Sequence, residues 1–204
     1  MSDLIQLGAR RPGPPKPEEV SFKFSEAAVA ELKALETHYP NLKACILPAL
    51  WIAQREYGGY LSGEALAEVA MRLNRSYAEI EGVATFYTMY NTAHKPGKHK
   101  IEVCTCIACQ VCGAYPLYAY IQKKLGIGNL ETTEDGMFTI EEVECLDACD
   151  RAPVVQVGDE YFGPLDEKGV DELIARLRKT DESTVVKLAD EVVKTQVAAG
   201  ETKK

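Results

Sequence analysis

Four thiols fall within nine residues, at Cys104, Cys106, Cys109 and Cys112, and two more follow at Cys145 and Cys149. Six of the seven cysteines therefore sit in two clusters, and the chemistry is expected there. Thiolates are soft ligands, so four of them converging suit zinc or an iron–sulfur cluster. The spacing leaves several arrangements open. Cys104 and Cys109 are spaced C-x4-C, and Cys145 and Cys149 are spaced C-x3-C. Cys106, Cys109 and Cys112 form C-x2-C-x2-C, the opening of a bacterial [4Fe-4S] run that should continue with a fourth cysteine. Pro116 stands at that fourth position, which counts against the run. Four-cysteine structural zinc usually pairs its ligands two to four residues apart, so C-x4-C with C-x3-C would be unusual but workable. A dithiol oxidoreductase would use one of the two C-x2-C pairs and leave Cys145 and Cys149 without a role. Rieske ligation needs two histidines, and His38, His94 and His99 all lie outside the clusters. Cys45 stands alone and reads as a small buried hydrophobe.

Composition narrows the class. The balance of 46% apolar and 26% charged residues is that of an ordinary globular chain, and 204 residues suffice for one domain or two small ones. A formal charge of −8 argues against a nucleic-acid or anionic-lipid surface. Residues 1–11 carry no continuous apolar segment of a secretory signal, and no stretch approaches the roughly 20 apolar residues of a membrane span. The expectation is a cytoplasmic protein without membrane insertion or nucleic-acid partner. Disulfides seldom persist in such a compartment, so clustered cysteines point to metal.

The elements that must position these thiols are legible in outline. Residues 1–20 include Pro12-Gly13-Pro14-Pro15-Lys16-Pro17, which prefers polyproline II and reads as a flexible tail. Residues 21–96 read as a helical domain. Ser25, Ser62 and Ser76 are expected N-caps, Pro48 suits a first turn, and Gly58-Gly59 ends the helix that holds it. Leu32 and Leu35, and then Leu66, Val69, Ala70 and Leu73, give apolar stripes at helical spacing. Residues 97–180 change pattern. Ile101 and Val103 alternate with polar residues and predict a strand that ends at Cys104. A helix over 113–125 is stopped by Gly126, a second strand runs over 138–143, and 154–162 reads as a hairpin around Gly158 and Asp159. Asp166 caps a last helix with Val170, Leu173, Ile174 and Leu177 inward. The order β-α-β-β-α is that of a thioredoxin-like half, giving an α+β chain overall. Residues 181–204 look polar and weakly amphipathic, and are expected to be a loose C-terminal extension. Gly126-Ile127-Gly128 begins like a dinucleotide fingerprint, but it follows a helix and reads as a helix stop.

Beyond spacing, the residues resemble a known family. Ala84-Thr85-Phe86-Tyr87-Thr88-Met89-Tyr90-Asn91, Ile101-Glu102-Val103-Cys104, Lys123-Lys124-Leu125-Gly126-Ile127, Phe138-Thr139, Glu144-Cys145-Leu146 and Ala152-Pro153 look like the peripheral-arm [2Fe-2S] subunits of NADH:quinone oxidoreductase (respiratory complex I), the 24 kDa or E subunits. The resemblance spans about residues 21–180. It implies a helical part followed by a thioredoxin-like ferredoxin domain with one [2Fe-2S] cluster on Cys104, Cys109, Cys145 and Cys149. It also implies an electron carrier without a catalytic site of its own, partnered by a flavoprotein subunit that binds FMN and NADH and by the larger iron–sulfur subunit of the peripheral arm, on the cytoplasmic side of the inner membrane. The helical half would dock the partner. The family extends to the equivalent subunit of NAD-reducing hydrogenases and NAD-dependent formate dehydrogenases. A four-cysteine zinc adaptor is the alternative of another class.

Two departures from the family pattern stand out. Cys106 and Cys112 match no family ligand, and Asp147 replaces the usual glycine. Asp tolerates a left-handed backbone better than most residues, so the loop between Cys145 and Cys149 is expected to hold. Its carboxylate, and that of Asp150, would oppose an added electron. Backbone N–H groups of residues 105–110 and 146–150 are the expected donors to sulfur.

Overall fold

The computed structural model describes residues 14–16 and 20–201. Most of the expected proline-rich tail lies outside the described residues. Among them are eight α-helices and four strands.

The first four helices form where local signals place them. They are α1 (Glu26–Glu36), α2 (Ile46–Glu56), α3 (Gly63–Arg72) and α4 (Tyr77–Phe86). The side chains of Ser25, Ser62 and Ser76 accept hydrogen bonds from the N–H groups of Ala28, Ala65 and Glu79, satisfying donors that a helix start leaves without partners. Helix α2 is the centre of this part, with Ile46, Ala49, Leu50, Trp51, Ile52 and Ala53 all buried. Cys45 is fully buried in the same cluster, as expected. Glu68, on α3, is a fully buried carboxylate. It accepts from the Lys23 and Phe24 N–H groups, the Tyr57 hydroxyl and the Arg72 guanidinium, which is how a buried charge is tolerated.

The second unit is a four-stranded mixed sheet in the order β2-β1-β3-β4. Its strands are β1 (His99–Cys104), β2 (Phe138–Val143), β3 (Val155–Val157) and β4 (Glu160–Phe162). Parallel pairing of β1 with β2 requires a crossover. The short helix α5 (Ile107–Val111) and the longer α6 (Ala114–Leu125) supply it. Gly126 ends α6 in a left-handed conformation, which disposes of the dinucleotide reading. The expected hairpin resolves into β3 and β4, so the unit runs β-α-β-β-β-α with α7 (Glu167–Leu177) last. Asp166 caps α7 through the Gly169 N–H. Ile101, Val103, Phe138, Ile140, Val155 and Val157 bury one sheet face against α6 and α7.

The other face is polar. Glu102 lies opposite both Glu141 on β2 and Gln156 on β3. Two carboxylates directly opposite one another repel, and Lys100 resolves this, its Nζ lying 3.1 Å from Glu102 and 2.5 Å from Glu141. This face meets the helical unit across a cavity of about 380 Å³, whose lining includes Gln54, Met89 and Asn91 opposite Lys100, Glu102 and Glu141.

The extension departs from expectation. Residues 184–201 form a helix, α8 (Thr184–Glu201), and not a loose tail. Val185, Ala189 and Val193 are buried, and Leu188, Val192 and Val197 pack against the helical core. The reason is the spacing of its apolar residues, a continuous helical stripe within a polar composition. Among the described residues no helix is long and apolar enough to cross a membrane.

Candidate metal centre

The expected ligands gather at one end of the sheet. Strand β1 delivers Cys104, whose N–H donates to Val154 O at 3.1 Å, fixing the strand end against the segment that leads into β3. Cys109 sits in α5. Both thiols are buried, at 2% and 1% exposure, and pack with Ala114 and Val154. Burial, with the neighbouring Cys104 adding to it, pushes the Cys109 thiol up to about 11. The second cluster lies on a loop after β2, where Cys145 and Cys149 are both exposed and Cys149 begins a 3-10 turn, Cys149–Arg151. Desolvation and the nearby thiols of Cys145, Cys106 and Cys104 raise the Cys149 pKa. A site of mutually elevated thiols is one that a metal must deprotonate, so binding releases protons.

The site therefore unites a buried pair, Cys104 and Cys109, with an exposed pair, Cys145 and Cys149. Cys106 lies in the same neighbourhood, half-buried against the Cys104 and Cys109 cluster. Cys112 is exposed at the end of α5, and Cys45 belongs to the helical core. Among the described residues no three His, Cys, Asp or Glu side chains are placed to hold one ion together. A [2Fe-2S] cluster asks for two thiolates on each of two irons. A buried pair facing an exposed pair is a donor set that fits it.

Asp147 adopts φ 54°, the left-handed conformation expected of a residue standing where glycine is usual. Its N–H donates to Cys145 Sγ at 3.4 Å, one of the expected bonds to sulfur. Others are spent on the fold: the Thr105 N–H donates to Val143 O and the Gln110 N–H to Cys106 O. In their place the Val154 backbone bonds to the Cys109 thiol and opposes the upward shift. Neither Val154 nor Ala114 carries a sequence signal of this role, because both act through packing that only the folded chain brings about. Gly163 is a further hidden support. A Cβ there would stand 2.2 Å from Arg151 O, so the loop carrying Cys149 closes against a residue that has no side chain.

Comparison with known proteins identifies the family. A profile of the thioredoxin-like [2Fe-2S] ferredoxin family matches residues 32–178. The chain is 41% identical over 159 residues to the second E subunit of the NADH-quinone oxidoreductase of Rhizobium meliloti (strain 1021), covering 78% of this chain and 94% of that protein. It is 45% identical over 156 residues to the NADH-quinone oxidoreductase E subunit of Rickettsia felis (strain ATCC VR-1525 / URRWXCal2), covering 76% and 93%. Among solved structures, an NAD+-reducing [NiFe]-hydrogenase in the H2-reduced state shares the fold with a TM-score of 0.56 at 22% identity over 64% of this chain. The aligned part is 22% of that hydrogenase chain.

Proposed function

The chain belongs to the thioredoxin-like [2Fe-2S] ferredoxin family, and from that premise we propose that it is the electron-transfer subunit of an NADH-quinone oxidoreductase, exchanging single electrons with the FMN of an adjacent NADH-oxidising flavoprotein subunit. Cys104, Cys109, Cys145 and Cys149 are the ligands in this reading. The observation that carries it is the pairing of two buried thiols with two exposed ones at the end of one sheet. Bound there, a [2Fe-2S] cluster supplies one-electron redox chemistry at a potential set by its surroundings.

The chain's own residues set those surroundings. Val154 and Ala114, both fully buried, keep water from the Cys104 and Cys109 side. A dry wall disfavours added charge, while hydrogen bonds from the Asp147 N–H and the Val154 backbone favour it. The exposed side, with Cys145 and Cys149, leaves a short path to a partner's cofactor. Phe86, Ile107 and Val111 are 77%, 74% and 83% exposed, apolar surface of the kind a partner covers. The partners proposed are the flavoprotein subunit and the larger iron–sulfur subunit of the peripheral arm, on the cytoplasmic side of the membrane. The equivalent subunit of an NAD-reducing hydrogenase or formate dehydrogenase would use the same ligands. The identity to two E subunits over most of their length favours the quinone oxidoreductase.

The test is reconstitution with the co-expressed flavoprotein subunit. NADH should bleach the visible absorption of this chain's cluster only when the flavoprotein and its FMN are present. Bleaching by NADH without the flavoprotein, or none with it, would refute the assignment.

A further inference from the structure

Helix α8 lies beyond the family match, which ends at residue 178, yet it touches both units. It packs along α1 and α2 and also on β1, and among the described residues no other helix packs substantially on both units. Its start is fastened to the sheet. The Thr184 N–H and the Ser183 hydroxyl donate to Lys98 O at 3.1 and 3.0 Å, and Thr184 Oγ1 lies 3.3 Å from His99 Nδ1. Its middle is fastened to the helices: Arg55, on α2, bridges Glu31 of α1, Glu56 and Asp190 of α8, the last at 3.1 Å.

Two glycines, one in each unit, make room for it. A Cβ on Gly59, which follows the end of α2, would stand 2.9 Å from Val185 Cγ1. A Cβ on Gly158, in the β3–β4 turn, would stand 3.3 Å from Thr184 Cβ. The start of α8 is thus wedged into the junction.

What it spans is otherwise poorly glued. The facing surfaces are the polar sheet face and the segment 88–91, with the cavity between them. Gln54 holds that segment from the helical side, accepting the Asn91 N–H at 2.8 Å and donating to Met89 O at 3.3 Å. Cys145 and Leu146 lie on the same cavity wall as Glu144, across from Thr88 and Met89.

We propose that α8 is a clamp that locks the helical unit onto the polar face of the sheet and so fixes the segment 88–91 against the loop carrying Cys145. The inference stands apart from the electron-transfer assignment, since its readout is backbone mobility and needs no redox partner.

Hydrogen–deuterium exchange on the full-length protein tests it. In the wild type, α8 amides around Ala189 should exchange as slowly as those of α2. Ala189→Asp places a charge in a fully buried position. It should speed exchange of α8 and of 88–91 together by roughly a hundredfold, with β1, α6 and α7 unchanged. Should that variant not fold, Val193→Ala should raise the same two regions together by a smaller factor. Fast exchange of α8 in the wild type would overturn the proposal. So would a loosened α8 that leaves 88–91 unchanged, or loosening spread evenly over the whole chain.

Discussion

Asp147 is the residue at which charge, backbone and redox chemistry can be separated. It stands between Cys145 and Cys149 with φ 54°, its N–H on Cys145 Sγ and its side chain exposed. A left-handed L-residue is disfavoured by about 1–2 kcal/mol, with Asn and Asp the most tolerant. Asp147→Asn therefore keeps the conformation and removes only the charge. Over about 8 Å, Coulomb's law gives about 0.5 kcal/mol at the permittivity of water and about 1 kcal/mol at half that value. For one electron these correspond to about 20 and 45 mV. The variant should raise the reduction potential by an amount in that range at low salt, and the shift should shrink as ionic strength rises. Asp147→Gly should give the same shift, with stability within roughly 0.5 kcal/mol of the parent, since relief of backbone strain offsets the greater entropy of an unfolded glycine. The assay is a mediated redox titration followed by visible absorption at two ionic strengths. The reasoning is refuted if Asp147→Asn leaves the potential unchanged at low salt, or if only the glycine variant shifts it.

Three other perturbations probe the site and its support. Cys106→Ser and Cys112→Ser should retain cluster absorption, whereas serine at Cys104, Cys109, Cys145 or Cys149 should abolish or bleach it; a harmless Cys104→Ser would sink the ligand set. Gly163→Ala drives a Cβ against Arg151 O and Pro153 O, backbone atoms that cannot swing aside. It should cost about 1–3 kcal/mol, roughly 2–12 °C in Tm, and weaken cluster retention through Cys149, as calorimetry and absorption would show. His99 is held below its ordinary pKa of 6.5 by burial and then by Lys98. The unfolded chain then takes the proton at higher pH than the folded one, so this contribution is full above about pH 6.5 and is lost as pH falls through the folded value. Stability followed by denaturant melts should drop over that window, and His99→Gln should flatten the drop.

What the sequence disclosed and what it hid divide by range. The caps at Ser25, Ser62, Ser76 and Asp166, the stop at Gly126 and the β3–β4 turn rest on contacts within a few residues, and all were legible. Cys104 at a strand end and the left-handed Asp147 were legible for the same reason. Helix α5 was not, because five residues are too few to show a period and the stretch reads as a ligand loop. The packing of α8 could have been read from Val185, Leu188, Ala189, Val192, Val193 and Val197. Its polar composition masked a regular stripe. The Lys100, Glu102 and Glu141 cluster depends on strand register, and the Gly163 contact on two loops meeting. Neither leaves a mark in linear spacing. The donors to sulfur fall between these cases: residues 105–110 supply N–H groups, but other backbone bonds claim those of Thr105 and Gln110.

The central claim is that four thiols of this chain hold a two-iron cluster. Low-temperature electron paramagnetic resonance on natively purified protein, before and after dithionite, tests it most directly. The account predicts silence in the oxidised protein and, on reduction, a single spin-half signal that persists at moderately warm cryogenic temperature, with iron bound. Silence in both states, with zinc in place of iron, would contradict it.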